Sequence, residues 1–138
     1  MRPIQKMAQN FYICANSFVQ HAGIAALTST EAEVKEMVAT YAARRSYMVE
    51  RLERMGFKFK CHPTGAFYVF VNMSHLNADC YELAFDILRE AGVGCTPGID
   101  FGSGGEGYIR FTYANSLENI KEGMDRLERY VGKLMENK

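Results

Sequence analysis

No charge of either sign predominates in this sequence: sixteen Lys and Arg are matched by sixteen Asp and Glu, for a formal net charge of zero. The broad basic field that recruits nucleic acid or an anionic membrane surface is therefore missing. No apolar run approaches the ~20 residues of a membrane span. The first residues, Met1 to Lys6, lack the apolar stretch of a secretory signal. These absences predict a cytoplasmic protein without nucleic-acid or membrane partners. The four cysteines, Cys14, Cys61, Cys80 and Cys95, follow no zinc or redox spacing. They read as buried, reduced thiols acting as small apolar residues. His21, His62 and His75 have no ligand spacing with a carboxylate, so no metal site is expected. No Ser/His/Asp or Cys/His set stands out, and there is no internal repeat or low-complexity segment.

What is present is an ordinary globular composition. Hydrophobic residues are 48% and charged residues 23%, enough for a packed core in 138 residues. Ile4, Met7, Ala8 and Phe11 set a short helix over 2–12, with Pro3 in its first turn. Asn16 or Ser17 caps a second helix to about Leu27 that is apolar almost all round. Such a helix needs burial on several sides, which predicts a neighbour: another domain or another subunit. Thr30 and Glu33 have capping-box spacing, opening a long helix over 31–55 that Gly56 stops. Its stripe is Val34, Val38, Tyr41, Met48, Leu52 and Met55, interrupted by Arg44 and Arg45. That interruption suggests service to two hydrophobic bodies.

Residues 57–61 alternate Phe, Lys, Phe, Lys, Cys, as an edge strand does, with Lys58 and Lys60 guarding the edge. Residues 66–73 are nearly all apolar and read as a central strand. Asp79 with Glu82 opens a helix through Ile87, Leu88 and Ala91, ended by Gly92. A short strand over 93–96 runs into Pro97. Asn115 with Glu118 opens a final helix on Leu117, Ile120, Met124, Leu127, Val131 and Leu134, fraying at 136–138. The order predicts an α+β fold: a small mixed or antiparallel sheet of about four strands packed with helices.

Between Pro97 and residue 114 lie a Gly-rich loop and the strand Tyr-Ile-Arg-Phe-Thr-Tyr-Ala, residues 108–114. The loop matches G-x-G-x-x-G over residues 102–107, but a strand follows where a dinucleotide site needs a helix. The dinucleotide reading is set aside; the loop connects strands and has freedom to move over a site. Arg110 sits mid-strand among aromatic and β-branched residues that predict a well-buried strand, where a charge needs a partner. Two readings stay open: an internal carboxylate such as Asp100 or Glu106, or a substrate carboxylate gripped by the guanidinium fork. Phe67, beside the Thr64–Gly65 turn, is the aromatic placed to line a pocket.

The ordered segments resemble a known family. They are residues 63–69 (Pro-Thr-Gly-Ala-Phe-Tyr-Val), Gly92-Val93 with residues 97–102 (Pro-Gly-Ile-Asp-Phe-Gly), residues 107–114 and residues 117–120 (Leu-Glu-Asn-Ile). Together they resemble the C-terminal, small domain of class I/II aminotransferases, the fold-type I pyridoxal-phosphate enzymes of the aspartate aminotransferase kind. Asn16-Ser17 and Gln20 ahead of Ala25-Ala26-Leu27 fit the family's segment before its long interdomain helix. The resemblance implies residues 1–30 as a helical remnant of the cofactor-domain and interface segment. It implies 31–138 as the small domain, with helix 31–55 as the link. It places Arg110 on the substrate α-carboxylate, Phe67 in the substrate pocket, and Asn16 near the active site across a dimer interface.

The family's Schiff-base lysine, phosphate-gripping arginine, pyridine-nitrogen aspartate and stacking aromatic belong to segments ahead of these motifs. Lys6, Lys35, Lys58, Lys60, Lys121, Lys133 and Lys138 stand in no Ser-x-x-Lys context. The resemblance therefore implies an amino acid and 2-oxo acid as substrates of the full enzyme, and a homo-oligomer formed through the N-terminal helices. It also implies no catalytic residue, no cofactor binding and no transamination by this chain alone. The alternative is a stand-alone module that binds carboxylates or associates through its apolar helices.

Overall fold

The computed structural model describes residues 1–136; the expected fraying at residues 137–138 lies outside them. The chain forms two compact units, residues 1–38 and 39–138. In the first, α1 (Arg2–Phe11) and α2 (Ser17–Thr28) lead into the start of α3 (Glu31–Arg54). Asn16 caps α2 as expected, its side-chain oxygen accepting from the Val19 N–H at 3.3 Å. The capping box at Thr30 is not made: the Thr30 hydroxyl donates to the Ala26 carbonyl at 2.8 Å instead. A hydroxyl that can satisfy a free carbonyl of the preceding helix is drawn away from the next one. Neither α1 nor α2 buries a residue, and Phe11, Phe18, Ile24 and Leu27 are exposed.

The second unit holds the core. Its sheet has three strands among the described residues, β1 (Tyr68–Asn72), β2 (Thr96–Pro97) and β3 (Tyr108–Thr112), in the antiparallel order β1-β3-β2. The α+β class holds, with fewer strands than the four expected. Residues 57–61 are not a strand. Phe57 donates its N–H back to Leu52 at the helix end, and its buried ring meets His75 at 5.3 Å. The alternation there reflects burial of Phe57 rather than a backbone ladder. Residues 66–73 yield an edge strand, and the Arg110 strand takes the centre.

Period-two alternation then does the sorting. Val69, Val71, Ile109 and Phe111 face the core, while Tyr68, Phe70, Asn72, Tyr108, Arg110 and Thr112 form the opposite face. The core face packs with Met48 and Leu52 of α3, Leu83 of α4 (Cys80–Asp86), Ile87, and Ile120, Met124 and Leu127 of α5 (Leu117–Glu136). Of the α3 stripe, Met48 and Leu52 are buried in this unit, with Met55 just past the helix end, whereas Val34 and Val38 are exposed. The Asp79 cap forms, accepting from Tyr81 and Glu82 N–H groups. After a π-helical turn at Ile87–Ala91 the chain reverses at Gly92 in the left-handed region. The α5 cap falls one residue later than the spacing suggests: Ser116, not Asn115, accepts from the Asn119 N–H.

Candidate functional site: the open face of the sheet

Arg110 is half-buried because its strand position points away from the core, onto the open face of the sheet. The expectation of deep burial is corrected by this alternation. Phe70 stands directly across from it on β1, and Thr96 on β2. One guanidinium nitrogen donates to the Thr96 hydroxyl at 3.2 Å. The guanidinium carbon lies 4.6 Å from the Phe101 ring centre and 5.2 Å from that of Tyr68. Two aromatic faces thus hold the cation without neutralising it. Among the described residues no carboxylate comes within ion-pair distance of Arg110.

The two internal acids considered as partners are placed elsewhere. Glu106 accepts from the Cys80 N–H at 2.9 Å and the Gly107 N–H at 3.2 Å. Those bonds, Cys80 first, hold its carboxyl below the usual carboxylate range. Asp100 is exposed in the Gly-rich loop. The guanidinium fork is therefore oriented, charged and open to an oxyanion.

Phe67 is exposed and meets Tyr68 edge-on at 5.4 Å, so it joins the same aromatic border as Arg110. Its backbone is pinned: the Phe67 carbonyl accepts from the Tyr113 N–H at 2.8 Å and the Thr112 hydroxyl at 3.1 Å. The Tyr113 hydroxyl, at the end of a buried side chain, reaches the Gly65 and Ala66 carbonyls at 3.2 and 3.1 Å. That anchor holds Ala66 at φ +63°, a conformation costly for a residue with a Cβ. Asn16 belongs to the other unit, where its side chain serves as the α2 cap.

The Gly-rich loop is pinned rather than free. It folds into 3₁₀ turns at Gly98–Phe101 and Ser103–Gly105, with Gly98 and Gly105 buried against each other. The Glu106 carboxylate ties its end to the start of α4. This anchor is a charge-assisted cap, so its pH dependence has a sign. A carboxyl lowered on folding contributes stability above its unfolded pKa of ~4.3, lost as pH falls through the folded value. Glu106→Gln is expected to lower stability at pH 7 and to converge with the parent near pH 3, as read by urea melts. A constant offset across that range would remove the carboxylate from the anchor.

Sequence reasoning missed the aromatic bed of Arg110. Phe101 and Tyr68 carry it, and the readable signal was that Tyr68 and Arg110 share a strand face once β1 and β3 are paired. The expectation of four buried thiols is corrected: Cys80 is buried and Cys95 partly so, with burial pushing Cys95 up to about 12, but Cys14 and Cys61 are exposed. No cluster of metal-ligating residues occurs among the described residues. None of their helices is long and apolar enough to cross a membrane.

The residues present do not fit pyridoxal phosphate. Its lysine must be shielded and surrounded by groups that hold the phosphate and ring nitrogen. Every described lysine is exposed; Lys35 pairs with Glu31 at 2.7 Å and Lys121 lies 6.0 Å from the Tyr47 ring.

The second unit is an α+β fold that presents Arg110 on the open face of its sheet, with no carboxylate in ion-pair distance among the described residues. The aminotransferase class I and II family model matches residues 2–127, and the chain belongs to that pyridoxal-phosphate-dependent family. It is 40% identical over 131 residues to the (5-formylfuran-3-yl)methyl phosphate transaminase of Methanocaldococcus jannaschii, covering 94% of this chain and 34% of that protein. It is 45% identical over 123 residues to the aspartate aminotransferase of Pyrococcus horikoshii, covering 86% and 31%. The aromatic aminotransferase of Pyrococcus horikoshii superposes with a TM-score of 0.84 at 34% identity, covering 93% of this chain and 35% of that one. The chain thus spans about a third of the length of the curated relatives it matches.

Proposed function

We propose that this chain is the substrate-clamp portion of an aminotransferase that moves an amino group between an amino acid and a 2-oxo acid. Arg110 holds the α-carboxylate, Phe67 lines the side-chain pocket, and Asn16 lies near the active site of the assembled oligomer. Residues 1–30 with their exposed apolar side chains form the segment toward the cofactor-bearing domain and a second subunit. The chain alone binds no pyridoxal phosphate and does not transaminate. The observation that carries this reading is the Arg110 guanidinium, fixed by Thr96 and two aromatic rings and left without a carboxylate among the described residues. The named activities of the relatives, on aspartate, aromatic amino acids and a furan phosphate, agree on amino transfer and differ in substrate.

Titration calorimetry with 2-oxoglutarate tests the clamp. Weak binding is expected, reduced about tenfold in Arg110→Ala, the worth of one charge-assisted pair at ~1.5 kcal/mol. Arg110→Lys keeps the charge and loses the fork, and falls between the two. Equal binding by all three proteins overturns the assignment. Reduction with borohydride in the presence of pyridoxal phosphate is expected to leave no stoichiometric adduct at a single lysine.

A further inference from the structure

The grip on Arg110 is loose in one respect. Its side-chain hydrogen bond among the described residues, to Thr96, fixes one nitrogen of the guanidinium. The rings of Phe101 and Tyr68 attract the cation at 4.6 and 5.2 Å, but a cation–π contact does not by itself fix the direction of the fork. A carboxylate held by two parallel bonds needs that direction fixed. The pose of the fork therefore depends on where the nearer ring, Phe101, stands. Phe101 belongs to a 3₁₀ turn of the Gly-rich loop and its side chain is exposed. The loop backbone places its Cα but leaves the ring in need of lateral support.

The sheet supplies that support through Phe70. This residue lies directly across the ladder from Arg110. Its ring meets that of Phe101 at 6.0 Å and 88°, the edge-to-face geometry that aromatic pairs favour. On its other side it stacks on Tyr108, at 4.9 Å and 12°. Three rings thus lead from sheet to loop, Tyr108 to Phe70 to Phe101, and the last of them lies against the guanidinium. Val69 and Val71, on either side of Phe70, carry the core burial of β1, so Phe70 is not needed to close the core. We propose that Phe70 is a positioning residue for Arg110: backed by Tyr108, it holds the Phe101 ring where that ring sets the fork toward a carboxylate. The carboxylate rests on the substrate role of Arg110 proposed above; the effect of Phe70 on the arginine's pose does not.

Two readouts on the chain test this. One is the Nε–H nuclear magnetic resonance signal of Arg110, assigned by its loss in Arg110→Ala, which reports the ring beside it. The other is 2-oxoglutarate binding by calorimetry. Phe70→Leu is expected to move the Arg110 signal and to weaken binding about threefold, the scale of one aromatic pair. Phe70→Tyr keeps the ring and should restore both. Phe70→Leu added to Phe101→Leu should weaken binding no further, because the ring it acts through is already gone, whereas a merely structural loss would add. Tyr108→Leu removes the backing ring and should act in the same direction, which keeps the test open if Phe70→Leu does not fold. An unmoved Arg110 signal in the folded variants, or losses that add in the double variant, overturn the proposal. Binding that depends on Arg110 but is unchanged in Phe70→Leu overturns it too, and keeps the α-carboxylate reading. A signal that moves while 2-oxoglutarate binding is insensitive to Arg110→Ala keeps the positioning role and rejects that reading.

Discussion

Gly98→Ala is expected to lower stability by about 3 kcal/mol or more, a fall in Tm on the order of 10–20 °C for a unit of this size. The reason is geometric. A Cβ built on Gly98 collides with the Gly105 carbonyl oxygen, and lies 2.8 Å from the Tyr108 carbonyl oxygen and 2.9 Å from the Tyr108 Cβ. Two of these obstacles are backbone atoms, which cannot rotate away as a side-chain end can. Gly105 meets the reciprocal obstacle, since its Cβ would strike the Gly98 carbonyl. The pair is a contact between two backbones that only glycine permits. Damage should reach the arginine, because Phe101 in the same loop forms one wall of the Arg110 bed. Thermal melts of Gly98→Ala should therefore be paired with 2-oxoglutarate binding, with both parameters falling. Gly104→Ala is the control: a Cβ there meets nothing within 4 Å, and its melt should stay within a few degrees of the parent. If Gly98→Ala melts with the parent, the loop is not closed in solution.

That loop shows where sequence reasoning ran out. Its glycines were readable as a connection rather than a dinucleotide site, because a strand follows them. Nothing in their spacing said that Gly98 and Gly105 would touch, since the contact is long-range and leaves no periodic trace. Periodicity served the helices well: α5 buries Ile120, Met124, Leu127 and Val131, as the three-and-four spacing required. It failed at residues 57–61, where an alternation of Phe and Lys reports which side chains are buried but not whether a strand lies alongside. It also left the sheet order open, so a run as apolar as residues 66–73 read as central although it lies at the edge. For Arg110 the residue was legible and its surroundings were not. A charge among aromatic residues suggested a well-buried group seeking either an internal acid or a ligand carboxylate. Pairing β1 with β3 places it on the open face, held by rings and a hydroxyl.

Arg51 carried no sequence signal at all, and its replacement is expected to have the second-largest effect. It lies one residue before Leu52 in α3, and its side chain is 11% exposed. One guanidinium nitrogen donates to Asp125 at 2.6 Å and Glu128 at 2.7 Å, both on α5; the other donates to Tyr47 at 2.6 Å. Burial works against its charge, but the bonds to Asp125, Tyr47 and Glu128 outweigh it and raise the guanidinium above its ordinary range. Removing a well-buried partner can cost 3–5 kcal/mol. Here Asp125 and Glu128 are about half exposed, so water takes up much of what they lose. Arg51→Ala should therefore cost about 2 kcal/mol, including the lost packing of the side-chain stem. Arg51→Met keeps the stem and removes the fork, leaving two acids three residues apart on α5 that repel each other. It should recover part of the loss at low salt and more at 1 M NaCl, where the Debye length falls to ~3 Å and that repulsion is screened. Urea melts of the three proteins at both salt concentrations separate packing from charge. An Arg51→Met protein as stable as the parent at low salt would show that α3 and α5 are joined by packing alone, with the acids of α5 contributing nothing.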